Sequence, residues 1–316
     1  MPRRRKKKAA FRQKKMRSHT ICNSNKTLFL IKTHYSVSEK NMNMIYTFKN
    51  KNVIVTGASS GIGKALSLLL ADKGARVMLA ARREEVLRVL ADEISHKGGT
   101  AAYCVTDVTN EEDCRHLVEE TIRLWDGIDI LICNAGISMR ANFDDVDISV
   151  IRRLMDVNFF GTVNCTKYAL PYLKQSKGSL VGISSTAGIH GLPWRTGYSA
   201  SKFAITGFLE TIRLENLKKG LHVMIAYPGF TTSEIRYHAL TADGSAQGNT
   251  PRNESKMMSS EETATRILWG IRKRVQYQVT FTDVVVYFSK FLCKRLLNHV
   301  VYNLMAREPD APTNEK

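Results

Sequence analysis

Residues 53–63 read VIVTGASSGIG. Val53, Ile54, Val55 and Thr56 are all β-branched, and Gly57 ends the run, which is the pattern of a short buried strand. Gly61 and Gly63 then lead into GKALSLLLADKG (63–74), a run of helical period that stops at Gly74. A strand that breaks into glycine and re-enters as a helix points free helix N–H groups at the break, where phosphate can sit. Gly57, Gly61 and Gly63, with Ser59, Ser60 and Ile62 between them, therefore predict a pyrophosphate-binding turn. A glycine triplet alone is a weak signal, and a plain glycine-rich turn is the alternative; the flanking strand and helix give this one its weight.

The same alternation spreads outward from that turn. ARVMLAA (75–81), AAYCVTDV (101–108), IDILICNAG (128–136), SLVGISS (179–185), LHVMIAYPG (221–229) and 277–282 read as further strands. Helical patterns fall at 84–98, 111–125, 149–175, 198–218, 263–274 and 284–307. Near-continuous apolar strands separated by amphipathic helices predict an α/β fold: a Rossmann-like, doubly wound parallel sheet of seven strands with helices on both faces. We place this single domain at 44–307, after a basic extension (1–43) and before a tail (308–316), both read as disordered. Residues 236–258 are polar, glycine-rich and without period; a loop that long inside a compact domain is functional or disordered.

The 316 residues carry a formal charge of +18, and 43% of them are hydrophobic. Residues 1–41 hold thirteen Lys/Arg against Glu39, so +12 of the charge lies in the extension and +6 in the rest. Such a run is solvated, or touches nucleic acid or an anionic membrane surface, or is not native, with Met42 or Met44 as the start. LFLI (28–31) is too short for a secretory signal, and no apolar run reaches the length of a spanning helix. The six cysteines form no C-x-x-C pair and no zinc spacing with histidine, so free thiols and no metal are expected, in a cytoplasmic protein.

After the second strand the chain reads Ala80-Ala81-Arg82-Arg83, with no acid before Glu84. An acid there holds a ribose 2′-hydroxyl and a base accommodates a 2′-phosphate, so Arg82 predicts NADP(H), with NAD(H) as the second choice. Asp107 and Val108 end the third strand; Asp107 either holds an adenine amine or caps its own turn. Tyr198 and Lys202 stand one helical turn apart, thirteen residues after Ser185 at a strand end. Hydride transfer to a carbonyl leaves an alkoxide that needs a proton. Tyr198 can give it if a nearby cation favours the phenolate, and Ser185 can polarise the carbonyl.

With those residues placed, the chain from about Lys51 to Arg307 resembles the compact, single-domain short-chain dehydrogenase/reductase family. The resemblance rests on TGASSGIG (56–63), NAG (134–136), N-x-x-G (158–161), Ser185 and YSASK (198–202). It implies an oxidoreductase in which Asn134, with Ala135 and Gly136, holds the central strand to the cofactor site. It further implies that Asn158 holds a proton-relay water, that Lys202 binds ribose, and that Pro228 and Gly229 lie beside the nicotinamide. The family's usual threonine five residues after that proline is Ser233 here; Thr231 and Thr232 are nearby, which leaves open which hydroxyl serves. Cys133 replaces an asparagine common in the family.

His190, Leu192, Trp194 and Phe230, with Ser185 and Tyr198, are the candidate walls of a substrate site for a lipophilic carbonyl or alcohol. The apolar, basic stretch 284–307 either packs on protein or lies on a membrane interface. The resemblance implies a homodimer or homotetramer. Two rival functions remain: a nucleotide-sugar epimerase or dehydratase, whose glycine spacing is usually tighter, and a non-enzymatic nucleotide-binding protein with a basic tail, which would have lost Tyr198 or Lys202.

Overall fold

The computed structural model describes residues 46–250, 257–308 and 311–312. The N-terminal extension (1–43) lies wholly outside the described residues, and Thr47–Lys316 forms one compact unit. Seven strands build its sheet: β1 (Asn52–Thr56), β2 (Arg76–Ala81), β3 (Thr100–Val105), β4 (Ile130–Cys133), β5 (Ser179–Ile183), β6 (His222–Ala226) and β7 (Tyr277–Gln278). Their order is β3-β2-β1-β4-β5-β6-β7, and every pairing is parallel. Every residue of β1, β4, β5 and β6 is buried, as a sheet covered on both faces requires.

The helices follow the strands: α1 (Gly61–Asp72), α2 (Glu84–His96), α3 (Glu111–Trp125), α4 (Ile148–Leu154), α5 (Gly161–Gln175), α6 (Thr196–Glu215), α7 (Ser260–Lys273), α8 (Phe281–Leu292) and α9 (Lys294–Ala306). The chain runs from β1 to one side of the sheet and from β4 to the other, so the crevice opens above the C-terminal ends of β1 and β4. Ile54, Met78, Leu117, Leu131, Leu180 and Ile225 belong to the main core beneath it. Met139, Ala141, Val150, Leu154 and Leu240 form a smaller core, against which Tyr198 packs.

Four features depart from the sequence reading. The strand expected at 277–282 stops at Gln278, because Thr280 and Asp283 form a reciprocal capping box that starts α8. The helix expected over 284–307 is two helices, broken at Cys293. The helix expected over 149–175 contains a π-helical stretch, Met155–Phe160, between α4 and α5. Glu308, assigned to a disordered tail, is buried. The described part of the 236–258 loop is tied down by bridges from Leu240 to Met139 and Ala246, while 251–256 lie outside the described residues.

Candidate active site

Two adjoining cavities occupy the crevice. The first, about 360 Å³, is floored by the glycine turn. Gly57 adopts φ +65°, and a Cβ on Gly63 would stand 2.1 Å from the Gly57 carbonyl oxygen, so the turn closes only with glycine at both. Asn134 Nδ2 donates to the Thr56 (2.9 Å) and Gly57 (3.3 Å) carbonyls, joining β4 to the turn. Ser60, the N-cap of α1, makes no side-chain bond to the helix, so the first-turn N–H groups keep their capacity for an anion.

Gly57, Ser59, Ser60, Gly61, Ile62, Arg82, Asp107, Val108, Asn134, Ala135, Gly136 and Ser233 all line this cavity, and Gly63 packs against Gly57 in the turn. Arg83 also lines it, and the sequence reading had passed over it. Its guanidinium donates to Ser59 Oγ (3.1 Å) and stands 3.7 Å from Glu234. Asp107 serves its own turn as well, accepting from Thr109 N (3.0 Å) and Thr109 Oγ1 (2.8 Å). An uncapped helix start, close backbone and two arginines fit the pyrophosphate and the 2′-phosphate of a dinucleotide.

The second cavity, about 140 Å³, is lined by Ser185, Tyr198 and Lys202 and continues into Pro228, Gly229, Phe230 and Thr231. Ile62, Asn134, Gly136, Ser233 and Ile235 line both cavities, so one ligand can run through from one to the other. Tyr198 and Lys202 sit in the first two turns of α6, with Lys202 Nζ 5.7 Å from the Tyr198 ring centre. Burial pushes the Tyr198 phenol up; its hydrogen bond with Ser185 and the charges of Arg195 and Arg236 pull the other way. Burial alone lowers the Lys202 ammonium to about 8, while Nζ donates to the Ile183 carbonyl (2.9 Å).

Asn158 lies in the π-helical stretch and is fully buried. Its side chain brackets Ile137, accepting from N (2.8 Å) and donating to O (3.0 Å), and also donates to Ser201 Oγ (2.9 Å). That fixes the loop after β4, where a Cβ on Gly136 would lie 3.4 Å from Lys202 Nζ. The Thr231 hydroxyl is engaged with Gly229 O (3.1 Å) and Thr263 Oγ1 (3.0 Å).

Of the four candidate wall residues, Leu192 and Phe230 line the second cavity; His190 and Trp194 do not. Trp194 is buried and packs toward Tyr302 of α9, with ring centres 6.2 Å apart. The sequence reading missed Arg195, Ile235, Arg236 and Glu308, which line the cavity too. The two arginines flank recognised motifs and were within reach of inspection, whereas nothing local marks Glu308.

Among the described residues no cluster of His, Cys, Asp or Glu could hold a metal, and no helix is long and apolar enough to cross a membrane. Cys104, Cys114, Cys133 and Cys165 are buried free thiols, and Cys293 is an exposed one.

Comparison with known proteins agrees with the family resemblance and the fold. The model of the short chain dehydrogenase family matches residues 51–243. The chain is 37% identical to a "Dehydrogenase/reductase SDR family protein 7-like" of Dictyostelium discoideum, over 73% of this chain and 75% of that protein. It is 34% identical to "Dehydrogenase/reductase SDR family member 7B" of Rattus norvegicus, over 82% and 81%. It is 40% identical to "11-beta-hydroxysteroid dehydrogenase-like 2" of Arabidopsis thaliana, over 58% and 60%. An alcohol dehydrogenase from Thermococcus sibiricus, solved with 5-hydroxy-NADP, shares the fold at 23% identity and a TM-score of 0.64, over 73% of this chain and 94% of that one.

Proposed function

The chain belongs to the short-chain dehydrogenase family of CH–OH/C=O oxidoreductases, and from that premise we propose that it moves hydride between NADP(H) and a lipophilic ketone, aldehyde or secondary alcohol. The observation that carries this reading is the pair of joined cavities, with a phosphate cradle in one and Ser185, Tyr198 and Lys202 in the other.

The nicotinamide cofactor, when bound, supplies or accepts the hydride. The glycine turn and the start of α1 hold its pyrophosphate, Arg82 with Arg83 its 2′-phosphate, and Asp107 and Val108 its adenine end. Asn134 and Gly136, which line both cavities, and Ala135, which lines the first, hold the cofactor where the cavities join. Pro228, Gly229 and Ser233 flank the nicotinamide, with Thr231 supporting the turn. Ser185 donates to the substrate oxygen, and Tyr198 gives that oxygen its proton or removes it in the reverse direction. Lys202 binds ribose and favours the phenolate. Asn158 keeps the Ile137 segment in place, and its carboxamide oxygen retains a lone pair for a relay water.

Leu192, Phe230 and Ile235 give the second cavity apolar walls, which support a lipophilic substrate, as does the name of the Arabidopsis relative. A homodimer or homotetramer through the helices of 149–175 and 198–218 agrees with exposed Phe160, Phe203 and Leu214; light scattering reads the assembly. Peripheral contact of α8–α9 with an anionic membrane agrees with exposed Phe281, Phe288, Phe291 and Leu292 beside Lys294 and Arg295; vesicle sedimentation reads it.

The deciding experiment is a fluorescence titration with NADPH and NADH on the wild type and Arg82→Ala. NADPH is expected to bind the wild type more tightly, and the substitution to weaken it by about tenfold while changing NADH little. Equal losses for both nucleotides would take the 2′-phosphate role from Arg82, and no binding of either would remove the redox reading.

A further inference from the structure

α8 (Phe281–Leu292) is apolar in sequence, yet Asp283, at 1% exposure, is the one buried residue among its twelve. Phe281, Val285, Phe288 and Phe291 are exposed. Val286 packs against the main core, and two polar contacts add to its hold. The first belongs to Asp283. Its Oδ2 accepts from Thr280 N (2.8 Å) and Thr280 Oγ1 (2.6 Å), which completes the capping box. Its Oδ1 is left over from that box and accepts from Thr186 Oγ1 at 2.6 Å, across 97 residues of sequence. The second contact lies two turns along α8, where Lys290 Nζ donates to the Ile189 carbonyl (3.0 Å) and stands 4.9 Å from the centre of the Phe203 ring of α6.

Thr186 and Ile189 are the two ends of a single turn, and Ser185 is its N-cap. Ser185 Oγ accepts from Ala187 N (3.2 Å) and Ser185 O from Gly188 N (2.8 Å). Thr186 O accepts from Ile189 N (3.0 Å) and His190 N (3.1 Å). From α6, the Lys202 carbonyl accepts from Ser184 Oγ (3.2 Å), and a Cβ on Gly188 would stand 2.9 Å from that same oxygen. The turn that carries Ser185 is thus held by α6 through Lys202 and by α8 through Asp283 and Lys290.

An ionised carboxylate only accepts hydrogen bonds, so the Thr186 hydroxyl points its proton at Asp283 and its rotamer is set with it. Burying a carboxylate costs free energy, which its three donors offset only in this arrangement. The Ser185 hydroxyl, accepting from Ala187, keeps its own proton for an acceptor in the cavity. We propose that Asp283 is a positioning residue for Ser185: through Thr186 it fixes the turn that aims the serine hydroxyl into the carbonyl cavity, and Lys290 fixes the far end of that turn. α8 is then part of the active site although none of its residues lines either cavity. The inference rests on the proposed reaction for what Ser185 does there, and on geometry alone for how it is held.

The test compares the wild type, Thr186→Val, Thr186→Ser and Asp283→Asn, each with Ser185 intact and in a Ser185→Ala background. Turnover is read with NADPH and methyl 4-acetylbenzoate, nucleotide affinity by fluorescence, and the turn itself by amide exchange at 187–190. Thr186→Val and Asp283→Asn are expected to lower kcat by about 10- to 100-fold, with NADPH affinity held within about threefold. Thr186→Ser keeps the hydroxyl and should restore kcat to within about threefold. Without Ser185 the same substitutions should change kcat by less than about twofold, because the group they position is gone. Exchange at 187–190 should quicken by about tenfold or more in both variants, with β5 unchanged. The proposal is overturned if exchange there is unmoved, if Thr186→Val keeps full kcat, or if the loss is as large without Ser185. Should Asp283→Asn not fold, Thr186→Val decides. Exchange needs no turnover, so it decides the matter even where the wild type leaves this ketone unreduced; absence of NADPH binding counts against the redox reading alone.

Discussion

The two ends of the sheet are built on opposite terms. At the N-terminal ends of the strands, polar groups are matched by the protein itself. Lys51 meets Asp129 at 2.6 Å, Asn52 Nδ2 donates to the carbonyls of Trp125 and Gly127 at 3.0 Å each, and His222 lies 3.0 Å from Ser179 Oγ and 2.8 Å from Val275 O. At the C-terminal ends the chain breaks into glycine, a helix starts uncapped, and Lys202 is buried with its pKa lowered. One end is finished by folding; the other is arranged for a ligand. Stability and activity should therefore respond to different substitutions.

The largest expected effect is chemical. Tyr198→Phe removes the proton donor and leaves the packing against Met139 and Leu154, so turnover should fall by roughly 10²- to 10⁴-fold with nucleotide affinity unchanged within a few-fold. If turnover survives, Tyr198 is a wall residue only, and the ligand-completed end loses its chemistry.

Lys202 sharpens the contrast, because there activity and stability oppose each other. Its pKa falls from 10.5 to about 8 in the fold, which costs about 3 kcal/mol of stability at pH values below 8. That cost fades as pH rises through the window from 8 to 10.5, where the unfolded chain also loses the proton. Lys202→Met should thus abolish turnover yet melt higher than the wild type at pH 7, by about 1–3 kcal/mol, with the gap closing near pH 10.5. A less stable variant at pH 7 would show that the bond to Ile183 outweighs desolvation.

His222, at the finished end, follows the same sign in a lower pH window. Burial lowers its pKa from 6.5 to about 4; the bond to Val275 opposes this, and Arg274 and Arg213 add to it. The fold keeps it neutral, so its contribution is complete above pH 6.5 and drains as pH falls to 4, by up to about 3 kcal/mol. Denaturant melts over that range should show the slope in the wild type and a flatter one in His222→Gln, with turnover at pH 7 unaltered. Equal slopes would assign the acid sensitivity to other groups.

Local chemistry was the legible part of this molecule. Alternating apolar runs give the seven strands, and TGASSGIG (56–63) with YSASK (198–202) gives both halves of the crevice, because each is set by neighbours in sequence. The capping box at Thr280 and Asp283 was also local, but the β-branched run around it masked it. The break at Cys293 carries no glycine or proline to announce it. Trp194 and Glu308 were misplaced for one reason: each owes its position to a segment about a hundred residues away, and neither helical period nor propensity records a distant partner. Arg82 was favoured over Arg83 by position alone, whereas the cavity has both.

The wall of the second cavity comes largely from Leu192, Phe230, Ile235, Arg236 and Glu308, none of which lies in a strand. The cradle for the nucleotide, by contrast, is an extension of β1 through β4. Descendants of such a chain can trade one diet for another by rewriting peripheral loops and the last few residues, while the inherited frame and its shared currency of reducing power stay untouched.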